Sequence, residues 1–242
     1  EALMKLIQRH GYIEFLRRNR ERSIIKVVSG IRRCGKSTLF RLFKDELLAE
    51  GVKPEQIISI NFEELEYEPL REYHALYQYI LNQMQPNQMN YIFLDEIQHV
   101  DQFHRVVDSL FVKENTDIYI TGSNAYFMSS DIATLLTGRY VEIQMLPLSF
   151  AEFYYSKYEE QQYSLIPAYE AYLRESSFPY TQQLGGEDFD IQEYLRGLFN
   201  TLLLHDVVAR LKINDVMILQ DIVRYIMANV GSLLSPNKIA KS

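Results

Sequence analysis

The sequence predicts an α/β fold with a parallel sheet, and three features of the chain support this prediction. A glycine-rich segment lies between a β-branched segment and an amphipathic helix. Five short apolar segments alternate with helical segments over residues 1–148, as in a doubly wound parallel sheet. After Pro147 the pattern changes to helices only. We therefore expect a five-stranded core over residues 1–148, an all-α lid region over 149–213 and the beginning of a further domain over 214–242.

Hydrophobic periodicity places the individual elements along the chain. The predicted strands are residues 23–29, 57–62, 91–94, 117–121 and 140–146. The predicted helices are residues 5–19, 38–48, 70–84, 101–113, 130–136, 166–174, 188–211 and 215–230, and a further helix that starts near residue 148. Gly51 is expected to end the second helix as a C′ glycine, and Asp101 is expected to cap the fourth.

The first glycine-rich segment has the sequence G-I-R-R-C-G-K-S-T and matches the phosphate-loop pattern G-x-x-x-x-G-K-[ST] at every position. Gly30 and Gly35 would let the backbone curl so that N–H groups point at phosphate oxygens. The following helix N-terminus favours negative charge. Lys36 would neutralise the β- and γ-phosphates, and the Ser37 hydroxyl would bind Mg²⁺. The expected nucleotide contacts are Gly30, Ile31, Arg32, Arg33, Cys34, Gly35, Lys36, Ser37 and Thr38.

Two carboxylates follow the third predicted strand, in the sequence Y-I-F-L-D-E. Because ligands collect at the carboxyl ends of strands in open α/β sheets, Asp95 and Glu96 are candidates for a nucleotide site. Asp95 would hold Mg²⁺, and Glu96 would activate the attacking water as a general base. Many strands end in acidic residues, so this pattern is weak alone; about 60 residues after a phosphate loop it is strong.

The fourth predicted strand ends in the polar sequence T-G-S-N. A side chain there, such as that of Asn124, could hydrogen-bond the attacking water or the γ-phosphate. Glycine, serine and asparagine also suit a simple strand-to-helix turn, so the two interpretations stay open. His99 and His104 are not spaced to share a zinc site with the acids, and packing or surface roles are expected for them.

Composition and charge restrict the class of protein. Residues 1–45 contain 12 Lys and Arg against 4 Asp and Glu, although the whole chain has a net charge of −7. The basic region coincides with the phosphate loop and suits an anionic nucleotide, whereas the acidic remainder argues against broad nucleic-acid binding. No apolar segment approaches the roughly 20 residues of a membrane span. The single cysteine, Cys34, suits a reducing cytoplasm, and we expect no membrane partner and a cytoplasmic location.

Five motifs together resemble the uncharacterised AAA+-type ATPases of bacteria and archaea. They are Gly30–Thr38, F-L-D-E-I-Q at 93–98, T-G-S-N at 121–124, L-T-G-R at 136–139 and L-P-L-S-F at 146–150. In that family the ATPase domain is followed by a winged helix and a C-terminal domain related in fold to restriction nucleases. The resemblance implies that the strand of Thr121 separates the strand of Asp95 from that of the phosphate loop. It also implies that a winged helix starts near Asp215.

The helix that begins near Ser235 is cut short at Ser242, so we expect the protein to continue beyond this chain. The recognition helix, the wing and the nuclease-like domain would lie there. A DNA partner is therefore expected only through that missing part.

Arg139, within the L-T-G-R motif, is a further candidate catalytic residue. A guanidinium near the γ-phosphate stabilises the charge of phosphoryl transfer. Arg139 could act within its own subunit or on the site of a neighbour in a homo-oligomer. The alternative is an arginine that pairs with an acid at the edge of the sheet.

The function predicted from these residues is Mg²⁺-dependent ATP hydrolysis that drives a conformational change in an attached C-terminal module. The alternative is a nucleotide-gated switch or binding module in which slow hydrolysis only resets the state. A small-molecule kinase and a GTPase are less favoured, because the paired Asp95 and Glu96 suit water and no N-K-x-D guanine-recognition motif is present. We also expect bound ATP and Mg²⁺ to protect the Cys34 thiol from alkylation.

Overall fold

A computed structural model describes residues 7, 9–123, 136, 138–158, 163–184, 188–202, 207–208, 215–233 and 235. Its contacts divide the chain into one unit of residues 1–188 and a second of residues 189–242. Some expectations lie outside the described residues: the catalytic candidate Asn124, the predicted helix over 130–136 except its last residue, and the helix that begins after Ser235. The proposed boundaries at 148 and 213 stay predictions.

The first unit contains a five-stranded parallel sheet, which confirms the predicted fold class. The strands are β1 Ile25–Gly30, β2 Ile57–Asn61, β3 Asn90–Asp95, β4 Thr116–Ser123 and β5 Tyr140–Met145. Their order is β2-β3-β4-β1-β5, and every pair is parallel. β4 therefore lies between β3 and β1, as the resemblance implied. Gly30 aligns with Ser123 and Met145, so the carboxyl ends of these strands meet at the edge of the sheet that carries the phosphate loop.

Helices cover both faces of this sheet because its central strands are buried on both sides. Ile92 and Leu94 of β3 belong to a cluster with residues of the third and fourth helices, whereas Tyr91 and Phe93 pack with the first and second. The helices of this unit are α1 His10–Asn19, α2 Lys36–Ala49, α3 Tyr73–Gln83, α4 Phe103–Phe111, α5 Phe150–Tyr158 and α6 Leu165–Glu175. Leu148, Phe153 and Ala171 form a small third cluster with α5 and α6.

The starts of α3 and α4 differ from the sequence prediction. Asp101 is not the N-cap of α4, because Gln102 occupies that position; the Asp101 N–H donates to the Arg71 carbonyl at 3.0 Å. The helix begins two residues later, at Phe103. Residues Leu65–Arg71 form a 3₁₀ helix instead of the start of α3. Glu72 caps α3 instead, since its carboxylate accepts the N–H groups of His74 and Ala75. Gly51, with φ 95°, follows α2 as predicted.

The second unit contains α8, Val216–Ala228, and most of α7, Asp188–Thr201, which begins at the division between the units. Asp215 caps α8, because its carboxylate accepts hydrogen bonds from the N–H groups of Met217 and Ile218 at 2.9 and 3.1 Å. Within the described part of the chain, every helix is too short or too polar to cross a membrane.

Candidate nucleotide site

The phosphate loop connects the end of β1 to the start of α2. Gly35 is the N-cap of α2 and has a φ of 107°, a left-handed conformation that favours glycine. Gly30 is needed for a different reason. A Cβ on Gly30 would lie 2.5 Å from the Met145 carbonyl oxygen and 2.9 Å from the Cys34 sulfur, closer than real contacts allow. The two glycines therefore serve different needs: one turns the backbone, and the other lets β5 pack against the loop.

Lys36, the first residue of α2, points back over the loop. Its side chain is only 4% exposed, and its Nζ lies 3.0 Å from the Gly30 carbonyl oxygen and 3.4 Å from that of Ile31. The same Nζ lies 3.1 Å from Oε1 of Glu96. The lysine is thus held at the loop by one carboxylate and two carbonyl groups, and a phosphate would compete with these partners for its charge.

Asp95 lies at the carboxyl end of β3 and is buried. The Thr121 hydroxyl donates to Oδ1 of Asp95, and the side chain of Ser37 is also hydrogen-bonded to this carboxylate. Burial raises the pKa of Asp95 above its usual value, although both hydroxyl contacts oppose this shift. The structure therefore brings together Ser37 and Asp95, the two residues predicted to bind Mg²⁺.

The donors at this position fit Mg²⁺ in kind, because a hydroxyl and a carboxylate are the hard oxygen ligands that it prefers. No group of three or more His, Cys, Asp or Glu side chains could hold a metal among the described residues. A Mg²⁺ ion at Ser37 and Asp95 would therefore take its remaining ligands from phosphate oxygens and water, as in other phosphate-loop proteins.

Glu96 follows Asp95 with a left-handed backbone (φ 55°) and a buried side chain. Its N–H donates to the Thr121 hydroxyl at 2.9 Å, and its Oε2 accepts from the Gln98 amide at 2.5 Å. Burial alone would raise the pKa of Glu96, but the charge of Lys36 and the Gln98 contact outweigh it, so this pKa lies below its usual value. Glu96 is therefore an ionised base that is paired with Lys36.

Thr121 is a site residue to which sequence reasoning gave no definite role. Its hydroxyl donates to Asp95 and accepts from the Glu96 N–H, so one buried group orients both acids. The one signal in the sequence for such a role was the location of Thr121 at the end of a predicted strand. The pairing register of β3 and β4, which places Thr121 one residue beyond the partner of Leu94, brings it beside Asp95.

Arg139 lies away from the phosphate loop. It directly precedes β5, at the level of Ile25 on β1, whereas the loop follows Gly30 at the other end of that strand. Five residues of strand separate the two levels by roughly 16 Å. The Arg139 guanidinium lies 3.7 Å from Asp108 Oδ1 and over the ring of Phe111. The structure thus places Arg139 beside Asp108 of α4 and away from the phosphate loop of its own chain, and a catalytic role for Arg139 stays a prediction.

The remaining loop residues differ in exposure. Arg33 and Ser37 are exposed, and Arg32 donates to the carboxylate of Glu63 at 3.1 Å. Arg9 was not singled out from the sequence, yet its guanidinium contacts the Cys34 carbonyl oxygen. Because that partner is a backbone group, no pattern of side chains could have marked the contact.

Cys34 is fully buried in the loop, and burial raises the pKa of its thiol. We therefore expect the native chain to resist iodoacetamide at pH 7 equally with and without ATP and Mg²⁺, because the thiolate is the reactive form. Mass spectrometry would measure the modification, and the same chain in guanidinium chloride serves as the reactive control. Rapid labelling of the native chain would contradict this placement. The predicted ATP protection is thus not a usable test, since the thiol is already shielded.

Comparison with known proteins agrees with this geometry. Residues 22–154, more than half of the chain, match the family model described as an AAA domain. The chain belongs to the AAA domain family. The match covers the phosphate loop, both acids of the β3 edge and all five strands.

Two relatives of this AAA domain are uncharacterised proteins. One, from Haemophilus influenzae, is 38% identical over 240 residues, and the other, from Methanocaldococcus jannaschii, is 33% identical over 228 residues. These alignments cover 98% and 86% of this chain, but only 59% and 48% of the relatives. The chain thus spans about half the length of the curated relatives that it matches.

A solved structure supports the fold. The Walker-type ATPase PABY2304 of Pyrococcus abyssi has a TM-score of 0.56 at 16% identity, covering 85% of this chain and 76% of that one. At this identity the likeness shows a shared P-loop ATPase fold. That fold implies nucleotide binding, which is usually accompanied by Mg²⁺.

Proposed function

We propose that this AAA domain binds ATP with Mg²⁺ and hydrolyses it. One observation supports this most directly: Lys36, Ser37, Asp95 and Glu96 lie together at one edge of the sheet, although about 60 residues separate the two pairs in the chain. A phosphate-binding lysine, two oxygen ligands and an ionised base are the groups that phosphoryl transfer to water requires.

The residues would divide the reaction among them. The loop N–H groups and the N-terminus of α2 would bind the phosphates, and Lys36 would move its charge from Glu96 to the β- and γ-phosphates. Mg²⁺, held by Ser37 and Asp95, would offset the charge that develops on the phosphoryl oxygens. Glu96, held by Thr121 and Gln98, would then accept the proton of the attacking water.

The Lys36–Glu96 ion pair favours a second candidate, a nucleotide-gated switch. Nucleotide binding must weaken this pair before Glu96 can act as a base, and a slow exchange there would make turnover slow. The output in either case would be a conformational change passed to the part of the protein outside this chain, including any winged helix and DNA partner. Turnover rate with and without DNA separates the two candidates.

We also propose that any catalytic role of Arg139 is exerted on a neighbouring copy of the chain. Arg139 lies at the amino-terminal ends of the strands, too far from the nucleotide site of its own chain, so a homo-oligomer would be required. Mixing Arg139→Ala chains with Glu96→Gln chains tests this proposal. Each variant lacks a different half of a shared site, so mixing should restore part of the turnover.

We expect Lys36→Ala to weaken ATP binding by about 10- to 100-fold, because a hydrogen bond to a charged group contributes about 1.5–3 kcal/mol. Isothermal titration calorimetry with Mg²⁺ measures the dissociation constant. Lys53→Ala is the matched control, since Lys53 is exposed beyond the opposite end of α2. Equal ATP affinity in Lys36→Ala and the unmodified chain would reject the proposed site.

A further inference from the structure

Arg9 lies just before α1 and makes contacts that its position in the sequence does not explain. We propose that Arg9 is a positioning residue for phosphate binding: it orients the peptide group between Cys34 and Gly35 and couples it to the start of α5 through Glu152. The inference rests on the proposed nucleotide function. The two residues that it adds, Arg9 and Glu152, belong neither to the phosphate-loop motif nor to the pair of acids at the end of β3.

The Arg9 side chain is 5% exposed and its hydrogen-bonding capacity is fully used. Nε and Nη2 donate to the two carboxylate oxygens of Glu152 at 2.7 and 3.0 Å. Nη1 donates to the carbonyl oxygens of Cys34 at 3.2 Å and Leu146 at 2.7 Å, and Nη2 also donates to that of Pro147 at 3.2 Å. These five contacts match the five N–H donors of a guanidinium.

The contact with Cys34 bears directly on the phosphate loop. The Cys34 carbonyl and the Gly35 N–H belong to the same peptide group, and in a trans peptide they point in opposite directions. The structure contains no cis peptide bonds within its described residues. Because Arg9 holds the Cys34 carbonyl on the side of the residues that follow β5, the Gly35 N–H points away from that side. That N–H is among the first donors of α2, where an anion would bind.

The contact with Glu152 extends this arrangement to α5. Glu152 also accepts hydrogen bonds from the backbone N–H and the hydroxyl of Ser149, at 2.8 and 3.0 Å, as part of a capping box at the start of the helix. Burial would raise the pKa of Glu152, but Arg9 and Ser149 outweigh it and lower the value, so the carboxylate is ionised. One guanidinium thus holds both the phosphate loop and the first turn of α5.

Lysine could not replace arginine here without losing part of this arrangement. A lysine has one nitrogen with three donors, whereas the Arg9 fork reaches a bidentate carboxylate and three carbonyl groups at once. A lysine that stays paired with Glu152 would therefore release the Cys34 carbonyl.

Arg17 provides a matched comparison within the same helix region. It forms a bidentate pair with Glu46, which ties α1 to α2, at 2.5 and 2.8 Å. Its side chain is half exposed, and its carboxylate partners Glu14 and Glu46 lie on α1 and α2, respectively, and not in the loop. If Arg9 served only to attach the N-terminal segment, Arg9→Lys and Arg17→Lys would have similar consequences for nucleotide binding.

The test measures ATP affinity and steady-state kinetics of the chain with Arg9→Lys, Arg17→Lys and Lys36→Ala. We expect Arg9→Lys to raise the ATP dissociation constant and KM by about 10-fold, in keeping with the loss of a charge-assisted hydrogen bond, with kcat within about two-fold. Arg17→Lys should leave both unchanged. A purely structural role would lower the fraction of active protein, and hence apparent kcat, without changing KM.

If Arg9→Lys fails to fold, Glu152→Gln provides the second test. It keeps the shape of the side chain but removes the charge that anchors Arg9, and should raise KM by about three-fold, with Ser149→Ala as the control for the helix cap alone. Unchanged KM in Glu152→Gln and in any folded Arg9→Lys chain would overturn the inference. Unchanged ATP affinity in Lys36→Ala would instead reject the proposed function.

Discussion

Glu96→Gln is expected to lower ATP turnover by about 10²- to 10⁴-fold while ATP stays bound. The ionised Glu96 carboxylate is paired with Lys36 at the phosphate loop, and removal of a general base typically costs turnover of this size. Glutamine keeps the shape and the contact with Gln98 but cannot accept the proton of water. Phosphate release gives the rate, and calorimetry gives the affinity for ATP.

The substitution should also change the affinity in a defined direction. Because Glu96 competes with phosphate for the Lys36 ammonium group, its neutralisation should leave ATP binding equal or tighter. Glu55→Gln, an exposed acid before β2, is the control and should change neither quantity. Turnover in Glu96→Gln equal to that of the unmodified chain would reject Glu96 as the base, whatever its affinity for ATP.

Asp117→Ala is expected to destabilise the fold by about 3–5 kcal/mol, because it leaves the charge of Lys26 buried and unpaired. Both side chains are fully buried, and Lys26 donates to Asp117 Oδ1. Burial also lowers the pKa of Lys26, although Asp117 opposes the shift. The carboxylate further accepts from the Tyr119 hydroxyl at 2.6 Å and the Glu21 N–H at 2.9 Å. Urea denaturation would measure the change in free energy of unfolding.

Two further variants show whether the buried charge is the cause. Lys26→Met combined with Asp117→Leu removes both charges and should cost much less than Asp117→Ala alone, since no unpaired ion remains. Arg17→Ala breaks an exposed ion pair and should cost about 1 kcal/mol or less. If Asp117→Ala lowered the free energy of unfolding as little as Arg17→Ala does, the Lys26 charge would have to be neutralised or solvated in another way.

Features that depend on residues close together in the sequence were predicted well. The phosphate loop, the strand that ends in Asp95 and the alternation of strands and helices are all local patterns, and the structure has them close to the expected positions. Errors arose where a distant contact overrode a local preference. Asp101 suits an N-cap, but Gln102 takes that position, and the Asp101 N–H instead donates to the Arg71 carbonyl.

The sequence by itself therefore determined the fold class and the residue types of the candidate site. Only the tertiary structure decided which groups orient them, namely Thr121 between the two acids and Arg9 at the Cys34 carbonyl. It also decided that Arg139 lies at the opposite end of the strands from the phosphate loop. The physical reason is that these contacts join residues far apart in the chain, and some use backbone groups, which every residue carries. Strand order and register bring such groups together, and local patterns of side chains do not record them.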